Sequence, residues 1–158
     1  MIMRSVLTCI LVVSMCRTST GCIRAAFTAT FPLEKISCIT VLNAQPVPTG
    51  SIVKYGTKLI NGDLASNYDP VTSIYTVPLN GIYKVTVTMM SGLVTGHTTL
   101  RKNGEIVVWL FTSKEYDMAT QSINLQMQRG DKLWVQMNNG SSLFSVYNTF
   151  SAVLITLT

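Results

Sequence analysis

Charge is scarce in this chain of 158 residues: 12% are Asp, Glu, Lys or Arg, against roughly a quarter in a typical soluble domain. A free-standing monomer so poor in charge would show apolar patches to water. Either a membrane-directed segment raises the apolar average, or copies of the chain cover one another's surface. Histidine is scarcer still, with His97 alone. Any Ser-His-acid or Cys-His arrangement would have to use that one imidazole. His97 sits beside Gly96 in a polar stretch and no nucleophile motif surrounds any serine, so it reads as a surface loop histidine and the chain as no enzyme. Zinc clusters draw on several His and Cys, more than remain here. Helical periodicity is almost absent, and no Gly-X-Y run is present, which excludes a collagen stalk. No apolar run approaches the ~20 residues that span a bilayer, so membrane insertion is not expected.

What is present begins with a leader. Residues 1–21 place Arg4 before the apolar run Val6–Val13 and follow it with Arg17-Thr18-Ser19-Thr20-Gly21. A short charged start, a short apolar core and small residues at a cleavage point describe a secretory signal peptide. Ser19 and Gly21 suit a cut before Cys22, and a cut near Ala25 fits too. Residues 22–158 then form one domain of ordinary size, with its core at about 25–158, in a secreted, extracellular protein. Loss of Arg4 and Arg17 leaves ten basic residues against seven acidic ones. They are scattered, only Arg101 and Lys102 being adjacent, which is too weak a footprint for nucleic acid. Cys9 and Cys16 leave with the leader; Cys22 and Cys38 remain as disulfide candidates for an oxidising space. Joined within one chain, they would close a loop worth on the order of 3 kcal/mol; they could equally link neighbouring copies.

Strand periodicity is strong. Tyr83, Val85, Val87 and Met89 alternate with Lys84, Thr86 and Thr88; Ile123, Leu125 and Met127 alternate with polar residues; Leu133, Val135 and Met137 repeat the device. Ile106–Phe111 and Ala152–Ile155 are instead apolar on both faces. Such strands need a cover on each side: the opposing sheet supplies one, and a loop or another subunit the other. Asn-Gly pairs at 61–62, 80–81, 103–104 and 139–140 read as tight hairpin turns, and Arg129-Gly130-Asp131 as a further turn. Trp134, Tyr83 and Phe150, lying within strands, read as core. Closely spaced strands of this kind describe an all-β sandwich or jelly roll.

Certain words recur in order: Ala26-Phe27-Thr28-Ala29, Tyr68-Asp69-Pro70, Tyr75, Gly81, Tyr83, Lys102-Asn103-Gly104, Gly130-Asp131-Lys132-Leu133-Trp134-Val135 and Phe150-Ser151-Ala152-Val153-Leu154. Together they resemble the globular head of the complement-1q family, within the wider tumour-necrosis-factor-like group, over residues 25–158. The chain departs from that pattern at Val85 and Val87, where the family prefers aromatics, at Ala152 in place of Gly, and in a longer segment Leu33–Thr49; Tyr55 also lies further from Tyr68 than the family's spacing. The resemblance implies a ten-stranded jelly roll that assembles as a homotrimer. It also implies a short secreted member, lectin-like, that recognises glycans, microbial surfaces or other ligands in innate immunity. The alternatives are an extracellular signalling ligand, cytokine-like or synaptic-organiser-like, that binds a protein receptor, or a structural subunit linked through Cys22 or Cys38.

Candidate site residues follow from both readings. Several trimers of the family hold calcium near the apex, and the resemblance sets Asp117, with Glu115 nearby, at an acidic calcium-ligand position; calcium takes carboxylate and carbonyl oxygens. Arg101, Lys102, Lys114 and Tyr116 are the ligand-binding candidates, on the ground that loops carry recognition while strands carry packing. Asn139-Gly140-Ser141 is the glycosylation sequon, with Asn139 as its acceptor.

Overall fold

The computed structural model describes residues 26–31, 34–36, 39–41, 44–58, 67–144 and 147–158. The expected leader 1–21, Cys22, Cys38 and the Asn61-Gly62 turn lie outside the described residues. The strands are β1 (Ala26–Thr30), β2 (Glu34–Ile36), β3 (Ile39–Val41), β4 (Ala44–Pro46), β5 (Thr57–Lys58), β6 (Tyr68–Asp69) and β7 (Ile74–Thr76). They continue with β8 (Gly81–Met90), β9 (His97–Lys102), β10 (Glu105–Phe111), β11 (Met118–Met127), β12 (Lys132–Asn139), β13 (Ser142–Phe144) and β14 (Thr149–Leu157). Ten of them form two five-stranded sheets, in the orders β11-β8-β14-β1-β5 and β10-β9-β12-β7-β6. The pairs β4/β13 and β2/β3 add two small ribbons. This is the jelly-roll sandwich expected from the sequence. Among the described residues no helix is long and apolar enough to cross a membrane.

Alternation decides which side chains meet between the sheets. Along β8 the residues Tyr83, Val85, Val87 and Met89 are buried, while Ile82, Lys84, Thr86 and Thr88 turn outward. Leu133, Val135 and Met137 of β12 are buried from the other side. Phe27 organises the aromatic centre, with ring centroids 4.8 Å from Tyr68, 4.3 Å from Tyr75 and 4.9 Å from Phe150. Offset and edge-on ring pairs of this kind add about 0.5–1.5 kcal/mol each beyond area burial. Tyr83 and Phe150 are core as the sequence indicates. Trp134 is not: it stands on the outer side of β12, half-buried, with its indole N–H donating to Gln136 Oε1 at 3.4 Å.

Of the Asn-Gly pairs, Asn103-Gly104 makes the expected hairpin, joining β9 to β10 with φ of 53° and 99°. Asn80-Gly81 and Asn139-Gly140 do not. The first carries the chain from β7 in one sheet to β8 in the other, and the second leads from β12 to β13, which pairs with β4. Gly81 is required by close approach instead: a Cβ there would strike the Thr156 carbonyl oxygen and the Leu154 side chain.

Two rows of hydroxyls cross the outer face of the first sheet. Register places Thr120, Thr88, Thr149, Thr30 and Thr57 in one row across five strands, and Ser122, Thr86, Ser151 and Thr28 in the next. Thr86 and Ser122 hydroxyls lie 2.9 Å apart, and those of Thr88 and Thr120 3.1 Å. Past these rows, β14 ends with Val153, Ile155 and Leu157 exposed. On the second sheet the outer side of β10 leaves Ile106, Trp109 and Phe111 exposed while Leu110 is buried. Both doubly apolar strands therefore have one covered and one open face in the single chain.

Candidate functional site

Three loops meet at one end of the sandwich. Ser91 follows β8 and forms a bridge with Leu143 of β13. Its hydroxyl donates to the Lys114 carbonyl at 2.8 Å and accepts from the Asp117 N–H at 3.1 Å. The Tyr116 N–H reaches the Gly92 carbonyl at 3.2 Å, and the Leu93 N–H reaches Ser142 Oγ at 3.1 Å. Segments 91–93, 113–117 and 142–144 are thus tied through backbone groups and the Ser91 and Ser142 hydroxyls. Tyr116 takes a positive φ of 53°, which turns its ring out of the 112–117 loop.

That ring meets two others. Tyr116 and Phe144 lie 5.4 Å apart, edge to face, and Phe144 and Tyr147 5.9 Å apart, nearly parallel. Tyr116 and Tyr147 are exposed at 44% and 43%, so the cluster is a surface feature and not an extension of the core. Lys114 and Glu115 flank it on the same exposed loop. Sequence reasoning found Tyr116 but missed Phe144 and Tyr147. The signal available was an aromatic pair framing a short segment just before the last strand, outside any alternating pattern.

Asp117 serves its own turn. Its Oδ2 accepts from the Ser113 N–H and hydroxyl, both at 3.3 Å, and its Oδ1 from the Met118 N–H at 3.0 Å. The Ser113 and Met118 N–H groups, aided by the Ser113 hydroxyl and the Lys114 charge, hold this carboxyl below the usual carboxylate range. Donors aimed at a carboxylate do the work that a cation would do. Among the described residues no group of three His, Cys, Asp or Glu could hold a metal ion. A calcium site at Asp117 would therefore draw on carbonyl oxygens or on carboxylates of more than one copy.

The remaining candidates separate. Arg101 and Lys102 are not loop residues but the end of β9, about 17 Å along the strand from His97 at ~3.3 Å per residue. Arg101 donates through Nη1 to the Gly104 carbonyl at 2.9 Å. Lys102 pairs with Asp131 at 2.9 Å. Both cations steady the 103–104 hairpin and its neighbouring corner, and the structure does not bring them to Lys114 and Tyr116.

His97 likewise is not in a loop. It opens β9, half-buried, with its ring centroid 4.8 Å from Trp109 and 5.9 Å from Phe111. The polar residues around it in sequence disguised a position whose cross-strand partners are aromatic. Asn139, exposed, is its partner on the opposite strand, and Asn139 Oδ1 accepts from the Gly140 N–H at 2.9 Å.

The globular domain of zebrafish complement 1qA protein matches with a TM-score of 0.67 at 15% identity, covering 85% of this chain and 99% of that one. Eiger TNF from S. frugiperda matches at 0.65 and 14% identity, covering 85% of this chain and 94% of that one. Murine APRIL matches at 0.60 and 10% identity, covering 84% of this chain and all of that one, 100%. At such identities these likenesses establish the jelly-roll fold. The family model of the C1q domain matches residues 38–155, most of the length of the sandwich and well over half of the chain. On that match the chain belongs to the C1q domain family.

Proposed function

We propose that this protein is a secreted, non-enzymatic recognition protein that works as a homotrimer and binds glycans through the loop end of its sandwich. C1q and tumour-necrosis-factor-like domains typically act in ligand recognition or signalling rather than catalysis, and this reading follows them. The observation that carries the glycan assignment is the exposed cluster of Tyr116, Phe144 and Tyr147. A pyranose presents C–H groups on its faces and hydroxyls on its rim. Exposed aromatic faces suit the first, and loop carbonyls, Lys114 and Glu115 suit the second. Tyr rings supply contact area at little conformational cost. The single histidine faces aromatic rings, which supports a non-enzymatic reading.

Trimerisation is supported by the open apolar end of β14. Val153, Ile155 and Leu157 are 45%, 55% and 54% exposed, a run that a single soluble copy would leave in water. The uncharged hydroxyl rows beside it carry no charge to desolvate. Secretion is supported by the charge and hydropathy pattern of residues 1–21 and by the short apolar core of that segment.

A glycan array probed with the secreted protein tests the assignment. Binding that falls at least tenfold in Tyr116→Ala and Tyr147→Ala, with an unchanged melting midpoint, is the expected result. No glycan binding, together with capture by a receptor ectodomain, would favour the signalling-ligand reading. Sedimentation of the wild type should give three chains, and Ile155→Asp should give one; a soluble wild-type monomer at micromolar concentration would overturn the trimer.

A further inference from the structure

The outer face of the second sheet holds an aromatic patch that the recognition site does not use. Trp109 is 49% and Phe111 62% exposed, and His97 lies against both rings. A sheet face of this kind needs an occupant. The register names one. Asn139 on β12 pairs with His97 on β9, and His97 pairs with Phe111 on β10. A bulge between Met137 and Asn139 precedes the first of these pairs, and beyond it the pairings set the three residues side by side across three strands. Trp109 lies two residues along β10 from Phe111, on the same side.

Asn139 is also the acceptor of the Asn139-Gly140-Ser141 sequon. Its side chain is exposed, as is Ser141, whose hydroxyl the sequon requires. The carboxamide oxygen is taken by the Gly140 N–H, and the nitrogen Nδ2 is the atom that a sugar would join. Neighbours across an antiparallel pair lie about 5 Å apart, so Asn139 and Phe111 are about 10 Å apart across two strand spacings. The first two sugar rings of a glycan cover such a distance.

We propose that Asn139 carries an N-linked glycan whose first sugars lie on His97, Phe111 and Trp109. The transfer uses a lipid-diphosphate-linked oligosaccharide of the secretory lumen. The bond from the sugar C1 to the diphosphate oxygen breaks, a bond from C1 to Asn139 Nδ2 forms, the amide gives up one hydrogen as a proton, and the lipid diphosphate leaves. The faces of the first sugars, with their acetamido methyls, then cover the rings, and their hydroxyls remain in water. The glycan is thus the missing cover for β10, in place of the loop or subunit that its sequence suggested. The inference rests on the secretion reading, because the transferase acts only in that compartment.

The test is the full chain expressed in mammalian cells. The intact mass of the secreted protein should carry one glycan, lost in Ser141→Ala, which removes the sequon but leaves the carboxamide in place. Tryptophan emission should shift to the red in Ser141→Ala, and the shift should vanish in the background of Trp109→Phe, which leaves Trp134 as the reporter. The melting midpoint should fall in Ser141→Ala and move less in Trp109→Ser. Secreted protein bare at Asn139 would overturn the proposal. So would an occupied Asn139 with emission and melting indifferent to the glycan, or emission that responds only to association of copies. If the chain is not exported, the secretion reading fails by itself. A foreign secretory leader placed ahead of Cys22 then decides the glycan: occupied and packed supports it, bare overturns it.

Discussion

The phenol of Tyr68 donates to the backbone carbonyl of Tyr55 at 2.7 Å, while the Tyr55 phenol, equally buried, has no partner among the described residues. Two tyrosines in one core thus differ in what their hydroxyls are worth. Burial pushes the Tyr68 phenol up to about 12 and the Tyr55 phenol further up still. Tyr68→Phe should lower stability by about 1 kcal/mol, the worth of a buried bond. Tyr55→Phe should leave it unchanged or raise it, because it removes a polar atom with no bond to lose. Urea unfolding of both variants checks the contrast; equal losses would show that Tyr55 is bonded after all.

Acid should loosen the fold through three carboxylates. The Thr72 hydroxyl and the Val71 N–H hold Asp69 below its ordinary range, and the Ser113 and Met118 donors hold Asp117 there. Burial pushes Asp131 up, but the Gln128 N–H, Lys102 and Asn103 outweigh it and leave it lowered. A depressed folded value means that stability is fully present above the unfolded value, about 3.9, and is lost as pH falls through the folded values. The melting midpoint should be flat from neutral pH to about pH 5 and drop below about pH 4. Asp131→Asn should lower the neutral midpoint and flatten the drop. A midpoint indifferent to pH down to 3 would rule this out.

Calcium gives a sharp test at Asp117. Because its oxygens already accept three bonds within the turn, calcium and chelator should give the same melting midpoint. Asp117→Asn should lower that midpoint in both, because the bonds within the turn lose their charge assistance. A calcium-dependent rise lost in Asp117→Asn would instead reveal a site assembled between copies.

Gly81 should resist substitution. A Cβ there meets the backbone of β14, which cannot rotate away as a side chain can. Gly81→Val should cost about 1–3 kcal/mol, the range for overpacking. Chemical denaturation measures it, and a neutral result would mean that β14 ends more loosely than described.

The core was legible because burial on one face of a strand forces a period of two. Tyr83 to Met89 and Leu133 to Met137 show it without interruption, and the aromatic words around Tyr68, Tyr75 and Phe150 marked the rest. The sheet assignment of turns was not legible. Asn103-Gly104 and Asn80-Gly81 read alike, yet one closes a hairpin and the other changes sheets, since the difference lies in which strand the chain pairs with next. The loop cluster was half legible. Tyr116 announces itself in a polar segment, but Phe144 and Tyr147 join it only through the tie between Ser91 and Leu143, a contact of long range in the chain. His97 misled for a related reason, as its neighbours in sequence are polar and its neighbours in space are rings.

The rows of Thr and Ser across the first sheet have an odd property. Each hydroxyl resembles the next, at intervals fixed by the strand spacing, so a partner laid on them meets nearly the same surface after sliding by one step. Such a face can be adhesive without being instructive. It tolerates a neighbour but does not tell it where to stop. If copies meet there, their angle and offset must be dictated elsewhere, and the irregular end of β14, bulged between Leu154 and Thr156, is a landmark on that face with a shape of its own. Changes in Ile155 or Leu157 would then alter the geometry of the assembly, whereas exchanging Thr for Ser along the rows would pass unnoticed.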